Sequence, residues 1–470
     1  MLLRYFSDQN LSQASYLVGC QETGEAIVID PVRHVDQYLE LAEAEGMRIV
    51  AAAETHIHAD FVSGARELAH RTGATLYLSD NGNKNWKYSY TGDYRCQLLY
   101  HESLFSIGNL AFQALHTPGH TPEHVSFLMT DTMAADKPMG VFSGDFIFVG
   151  DVGRPDLLEK AAGVADSAEH GARQMFTSVK EFKKLPDYLQ VWPGHGAGSA
   201  CGRNLGAVPS TTLGYEKLFS WAFNIDNEIA FVKELLREQP EPPYYFSEMK
   251  RINKEGPPLL STVPTPERLP STRLESILAE GYPVIDTRTA GGFAASHIPG
   301  TLNIPHDSSF TQWAGWLIGF DIPYYLIVDP PMLDQLHRAL SSIGLDHCGG
   351  CFEIPAIQAW ASSGHELECY SSAFPSQLVD QILGGAICLV DVRNLNEWNE
   401  GHIPGARHIM LGTLKARLNE LPNNKPIVLQ CRTGVRSAIG ASILQANGFS
   451  NVINLMGGIR EWEAAGYAAS

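Results

Sequence analysis

Cysteine, basic charge and long apolar runs are all in short supply in this 470-residue sequence. Its eight cysteines are too sparse for a disulfide scaffold. A reducing compartment is expected, in which a cysteine matters for its reactivity. Lysine and arginine total 34 against 52 aspartates and glutamates, a formal net charge of −18. That argues against a nucleic-acid binder, since phosphate contact needs a basic face. No run of about 18 uncharged apolar residues occurs. The start, Met1-Leu-Leu-Arg-Tyr-Phe-Ser-Asp, has no basic segment leading into an apolar one. Neither a membrane span nor a secretory signal is expected, and a cytoplasmic location fits. With 44% hydrophobic and 18% charged residues the chain is not disordered. Its length suggests about three domains at roughly 150 residues each.

Prolines and a repeat mark the divisions. Eight of the 27 prolines fall between Pro240 and Pro270, a composition that reads as an extended, semi-rigid linker. Before it, Leu213, Leu218, Ala222, Ile225, Ile229, Val232, Leu235 and Leu236 have helical spacing and predict one long helix over 212–238. Beyond it, Ile285-Asp286-Thr-Arg288 with His297-Ile-Pro-Gly300 recurs as Val390-Asp391-Val-Arg393 with His402-Ile-Pro-Gly405. A shift this long means domain duplication and not a solenoid. In the first 210 residues, strand candidates at 26–30, 48–52, 75–78, 125–129, 141–142 and 188–191 alternate with helical patterns such as 35–44 and 61–71. That alternation predicts an α/β layered fold. The expected domains are residues 1–255, 256–368 and 371–470.

Ten of the 17 histidines lie in residues 1–210, several directly after strand candidates. They stand in Thr55-His56-Ile-His58-Ala-Asp60, His116-Thr-Pro-Gly-His120-Thr-Pro-Glu-His124 and Pro193-Gly-His195, and Ser143-Gly-Asp145 follows a strand in the same way. Strand ends on one rim of a sheet bring distant ligands to one ion. Imidazole with carboxylate suits zinc or iron better than magnesium or calcium. His34, His70, His101 and His170 have no such setting and read as ordinary histidines.

The order His-x-His-x-Asp, His, Asp, His resembles the metallo-β-lactamase superfamily, whose fold is an αββα sandwich. In that superfamily the residue after Asp60 is usually a histidine, and here it is Phe61. Phenylalanine cannot ligate, so the resemblance implies a single ion on His56, His120 and Asp145. The two-zinc arrangement of glyoxalase II-like thioester hydrolases becomes the rival. Two histidines and a carboxylate with open positions form the facial triad of non-haem Fe(II) oxygenases. The surrounding text, including Asp60-Phe61-Val-Ser-Gly64, Gly150-Asp151-Val-Gly-Arg154-Pro-Asp156 and Gly194-His195-Gly-Ala-Gly-Ser-Ala-Cys201-Gly, is similar to the persulfide dioxygenase branch. The resemblance implies one Fe(II) per chain, with O2 and a thiol persulfide as substrates and sulfite as product. His58, Asp60 and His195 are then outer partners of the ligands. Arg154 either holds the thiol's carboxylate or pairs with Asp151 or Asp156. Cys201 either relays sulfur or is a small buried residue.

Near the C-terminus an apolar strand runs into Cys431-Arg432-Thr-Gly434-Val-Arg436 and then a helix. Loop N–H groups and the helix N-terminus stabilise a thiolate there, and Arg432 and Arg436 add positive charge. Cys-x4-Arg is one residue shorter than the phosphate cradle of cysteine phosphatases. With Glu397 and Gly401-His402-Ile-Pro-Gly405, the segment resembles rhodanese sulfurtransferases, and Cys431 is then the persulfide-bearing nucleophile. In the first repeat, aligning 325–328 on 427–430 puts Asp329 at the cysteine position and Asp334 at that of Arg436. That repeat is expected to lack activity. Cys348-Gly-Gly-Cys351 lacks the second cysteine pair a zinc site needs.

The whole reads as an α/β chain: a metallo-β-lactamase sandwich followed by two rhodanese-like domains. The resemblance implies a persulfide dioxygenase coupled to rhodanese transfer giving thiosulfate. The rival from another class is a sulfur-carrier or sensor protein whose metal is only structural. The thiol (glutathione, coenzyme A or bacillithiol) and the oligomeric state stay open. Related folds often form homo-oligomers, but nothing in the sequence fixes an interface.

Overall fold

The computed structural model describes all residues except 9, 158–166, 200, 204, 238 and 240. The chain divides into two units. One is Met1–Val263 with Ser341–Gly344, the other Pro264–Leu340 with Leu345–Ser470.

Two six-stranded sheets make the first unit. Strands β1 (Leu2–Asp8), β2 (Gln13–Cys20), β3 (Glu25–Ile29), β4 (Arg48–Ala53), β5 (Thr75–Ser79) and β6 (Cys96–Leu99) lie side by side in that order. The second sheet is ordered β12 (Thr211–Thr212), β11 (Gln190–Pro193), β10 (Gly140–Gly144), β9 (Val125–Asp131), β8 (Leu110–His116), β7 (Leu104–Ile107). Side chains alternate across a strand, and both faces of the first sheet are covered. Tyr16, Val18, Ile27 and Ile29 pack between the sheets with Phe112, Phe127 and Phe142. Leu17, Ala26 and Val28 face Tyr38 and Leu68 of the helices Asp36–Ala44 and Ala65–Thr72. Beyond the second sheet, Leu128, Val141 and Val191 pack on Met175, Phe223 and Phe231 of helices that follow. The layers are αββα.

Two expectations fail here. The long helix over 212–238 is three short ones, Leu213–Phe219, Trp221–Asn224 and Glu228–Leu236. Ser220 and Asn227 are extended between them, and the Asn227 side chain caps the third by accepting from Ala230 N–H. The proline-rich stretch is not a plain spacer either. It contains the helix Phe246–Glu255, which buries Phe246, Met249 and Asn253 and stops at Gly256, where φ is +100°.

The second unit holds two all-parallel sheets. The first is ordered β14 (Leu302–Asn303), β13 (Val284–Asp286), β15 (Tyr324–Val328), β16 (Cys348–Glu353). The other runs β17 (Ser371–Ala373), β21 (Val452–Leu455), β20 (Ile427–Gln430), β18 (Cys388–Asp391), β19 (Arg407–His408). The repeat is conserved bond by bond. Arg288 pairs with Asp286 and donates to Ser296 O, while Arg393 pairs with Asp391 and donates to Gly401 O. His297 stacks on Phe293 and His402 on Trp398, at 3.8 and 3.6 Å between ring centroids.

Strand register moves the alignment of the repeats by one residue. Asp286 pairs with Ile327, and its counterpart Asp391 pairs with Gln430. Val328, not Asp329, is therefore level with Cys431, and Asp334 is level with Ser437 instead of Arg436. Sequence similarity alone missed the shift because apolar strands align almost equally well one residue apart. Cys348 and Cys351 are both buried on β16, and neither joins a group of potential metal donors among the described residues.

Phe127 is fully buried between the two sheets. Phe127→Ala should cost about 3–5 kcal/mol. Calorimetry should show the first unit's transition moved to lower temperature and the second unit's unchanged.

Candidate metal centre and sulfur-transfer loop

The ends of β4, β8 and β10 feed loops into one place. One ligand atom each from His56, His120 and Asp145 lies within 4.8 Å of the others, and all three residues are buried. Asp145 Oδ2 is 3.5 Å from His120 Nε2 and 4.0 Å from His56 Nε2, and among the described residues it has no hydrogen-bond partner. A buried carboxylate oxygen left unpaired between two imidazole nitrogens fits a cation.

Each ring is turned so that Nε2 presents a lone pair. His120 Nδ1–H donates to Arg154 O at 3.0 Å. Thr55 Oγ1 donates to Asp30 Oδ2 at 2.8 Å, so the Thr55 oxygen accepts from His56 Nδ1 at 3.0 Å. Such outer bonds fix tautomer and orientation. Burial pushes the pKa of both His56 and His120 down, which keeps the rings neutral. His124 Nε2 accepts from Asp145 N–H at 3.1 Å and positions that residue through its main chain.

Asp145 Oδ1 accepts from His195 Nδ1 at 2.7 Å, and His195 Nε2 meets Asp60 Oδ2 at 2.6 Å. Burial opposes charge on His195, yet Asp145 and Asp60 together push its pKa up to about 10. Cys201 is buried beside this pair, its sulfur grouped with Asp60 and His195 donors within 4.8 Å. Burial, then Asp60 and Asp145, pushes its thiol well up. His58 lies on the other side, 2.9 Å from Glu54 and 3.2 Å from Asp30. Burial works against its charge, and the two carboxylates outweigh that and raise its pKa. Phe61 packs its ring on His58 at 4.4 Å.

Arg154 is fully buried and donates twice to Asp156, at 2.8 and 2.7 Å. Asp156 is one of the two ion-pair partners expected from the sequence. Asp30, Thr55, His124 and Asn253 join the site without being singled out by residue type and spacing. Thr55 and His124 stood inside the quoted motifs. Asp30 has no local signal: it follows β3 at φ +51°, and its importance appears only once Thr55 and His58 converge on it.

In the second unit Cys431 is 1% exposed at the end of β20. Its sulfur accepts from Gly434 N–H at 3.1 Å and Ser437 Oγ at 3.4 Å. Gly434, at φ +100°, caps the helix Val435–Ala446, so the sulfur sits at a helix N-terminus. Arg436 is held in a two-pronged pair by Glu397 at 2.6 and 2.7 Å, whereas Arg432 is exposed. The first repeat has a 3-10 turn, Pro330–Met332, where this loop stands, and proline there removes the anion-binding N–H groups.

Comparison with known proteins agrees with both units. The metallo-beta-lactamase superfamily model matches residues 9–195, and the rhodanese-like domain model matches residues 374–465. The crystal structure of a metallo-beta-lactamase from Staphylococcus aureus subsp. aureus COL is 43% identical, with a TM-score of 0.68, and covers 75% of this chain and 98% of its own. The mitochondrial persulfide dioxygenase ETHE1 of Bos taurus is 28% identical over 200 residues, 42% of this chain and 68% of the bovine protein. Protein YqhL of Bacillus subtilis (strain 168) is 47% identical over 74 residues, 16% of this chain and 59% of YqhL. The chain belongs to the metallo-beta-lactamase superfamily and continues beyond that domain into a rhodanese-like one.

Proposed function

We propose that the chain oxidises a low-molecular-weight thiol persulfide with O2 at one Fe(II), then passes sulfur through Cys431. The reading rests on one observation above all: two neutral imidazoles and a carboxylate oxygen with no hydrogen-bond partner among the described residues face one point. The bovine relative, named a persulfide dioxygenase, supports it, as does fusion to a rhodanese-like domain. His56, His120 and Asp145 would hold the iron. Bound there, it supplies a site for O2 and the persulfide sulfur together.

The chain's own residues then have distinct tasks. His195 holds a proton on the outer oxygen of Asp145 and leaves Oδ2 for the ion. Both of its nitrogens are engaged by carboxylates, which favours one ion over two. The reaction is R–S–SH + O2 + H2O → R–SH + SO3²⁻ + 2 H⁺. At Cys431, sulfite attacks the outer sulfur: Cys–S–SH + SO3²⁻ → Cys–SH + S2O3²⁻. Gly434 N–H and Ser437 Oγ–H stabilise the thiolate as it leaves. The candidate thiol carriers are glutathione, coenzyme A and bacillithiol. Arg154 acts through its ion pair with Asp156 and its carbonyl on His120, and Cys201 is the thiol nearest the iron ligands' partners.

Protein purified without oxygen should contain one iron per chain by elemental analysis. His56→Ala, His120→Ala and Asp145→Ala should each lose iron and O2 uptake, since three ligands leave no spare. Two ions per chain with thioester hydrolysis and no O2 uptake would establish the glyoxalase II-like reading instead.

With persulfide in excess, the intact chain should release mainly thiosulfate and Cys431→Ser mainly sulfite, at similar O2 uptake. Linked domains raise effective concentration to roughly millimolar, which favours capture of sulfite before it escapes. Thiosulfate as the main product of Cys431→Ser, after correction for the uncatalysed reaction, would exclude Cys431 as the coupling residue. The same variant should lose all thiosulfate:cyanide sulfurtransferase activity, because Val328 and Pro330–Met332 give the first repeat nothing to transfer sulfur with.

A further inference from the structure

The loop that carries His56 and Asp60 is fastened by two stretches of chain far away in sequence. Asn253, on the helix Phe246–Glu255 and 2% exposed, accepts from Ser63 N–H at 2.8 Å through Oδ1. Its Nδ2 donates to His58 O at 2.8 Å and to Phe61 O at 2.7 Å. One amide thus uses its acceptor and both donors on the main chain of one loop, which no carboxylate or hydroxyl can reproduce. Between Phe61 and Ser63, Val62 N–H donates to Ser342 O at 2.8 Å.

Ser342 belongs to Ser341–Gly344, which lies in sequence inside the first rhodanese-like repeat but joins the first unit by its contacts. Arg33 Nη1 donates to Ser341 O at 2.7 Å. Gly344 closes the contact at φ +77°. A Cβ there would come within 2.7 Å of Ile252 Cδ1, 3.0 Å of Met249 Cε and 3.4 Å of Val62 Cγ2. Glycine lets this piece lie flat on the Asn253 helix and the metal loop together.

We infer that Asn253 and Ser341–Gly344 form a clamp that positions the metal loop. Part of the repeat without a nucleophile then serves the metal site and not sulfur transfer. The inference rests on the assignment of His56, His120 and Asp145 as ligands, and Asn253 is a positioning residue: its reach is the main chain at His58, Phe61 and Ser63.

The test uses the full-length chain with Asn253→Asp and, separately, Gly344→Val. Two quantities are read: hydrogen exchange of the amides of residues 56–64 in metal-free protein, and cobalt(II) affinity with its visible d–d spectrum. Both variants should exchange these amides at least about tenfold faster and bind cobalt(II) roughly 10–100-fold more weakly, as outer-partner substitutions do. Their d–d bands should be altered, with circular dichroism unchanged. If Gly344→Val loses its dichroism, Gly344→Ala, which adds only the contacting Cβ, replaces it. Wild-type exchange in either variant overturns the clamp, and so does wild-type cobalt affinity in loops that exchange faster. Wild-type protein that binds no cobalt(II) overturns the ligand assignment, and exchange alone then judges the clamp.

Discussion

The bond from His195 to Asp145 is the constraint around which the first unit is arranged. A carboxylate taken fully out of water costs several kcal/mol unless it is paired and hydrogen-bonded. Asp145 is fully buried, and His195, which keeps its proton between Asp145 and Asp60, holds that carboxyl well below the usual range against the opposing effect of burial. The approach has to be close: a Cβ at Gly194 would lie 2.7 Å from Asp145 Oδ1, so a glycine must precede His195. The pairing then leaves a single oxygen, Oδ2, aimed at the two imidazoles. Asp60 extends the chain of charge on the far side of His195. The sandwich supplies the rest by ending β4, β8 and β10 on one rim.

Much of this was legible in the sequence. The strands over 25–29, 48–53, 75–79 and 125–131 carry β-branched and apolar runs, and the ligand motifs follow them directly. The β1–β2 hairpin was not foreseen because β2 is buried on both faces along its whole length and so shows no alternation. The helix expected over 212–238 failed for a different reason. Apolar spacing persists through Ser220 and Asn227, and only capping chemistry reveals the breaks.

The outer partners of the ligands were the least legible part. Asn253 sat in a proline-rich stretch that composition marks as a spacer, and Asp30 is 25 positions from Thr55, to which it is bonded. Their roles come from tertiary placement and leave no local pattern. Elements named by residue type and spacing (His56, His120, Asp145, Cys431) were accessible; elements defined by which backbone group they satisfy were not.

In the second unit the duplicated Asp–Arg pairs and stacked histidines hold two similar frames, and of the level positions Val328 and Cys431 only the second is a cysteine. What separates them is the turn after β15 and after β20: a proline turn after Val328 in the first repeat, a glycine-capped helix start around Cys431 in the second. Chemistry at both sites of the chain therefore depends on main-chain N–H and C=O groups as much as on the named side chains. The most direct test of the account is an oxygen electrode trace on the iron-loaded full-length chain given glutathione persulfide as the limiting reagent. The account predicts one O2 consumed per persulfide, with none consumed when glutathione replaces it. No persulfide-dependent uptake, from protein shown to carry its iron, would contradict it.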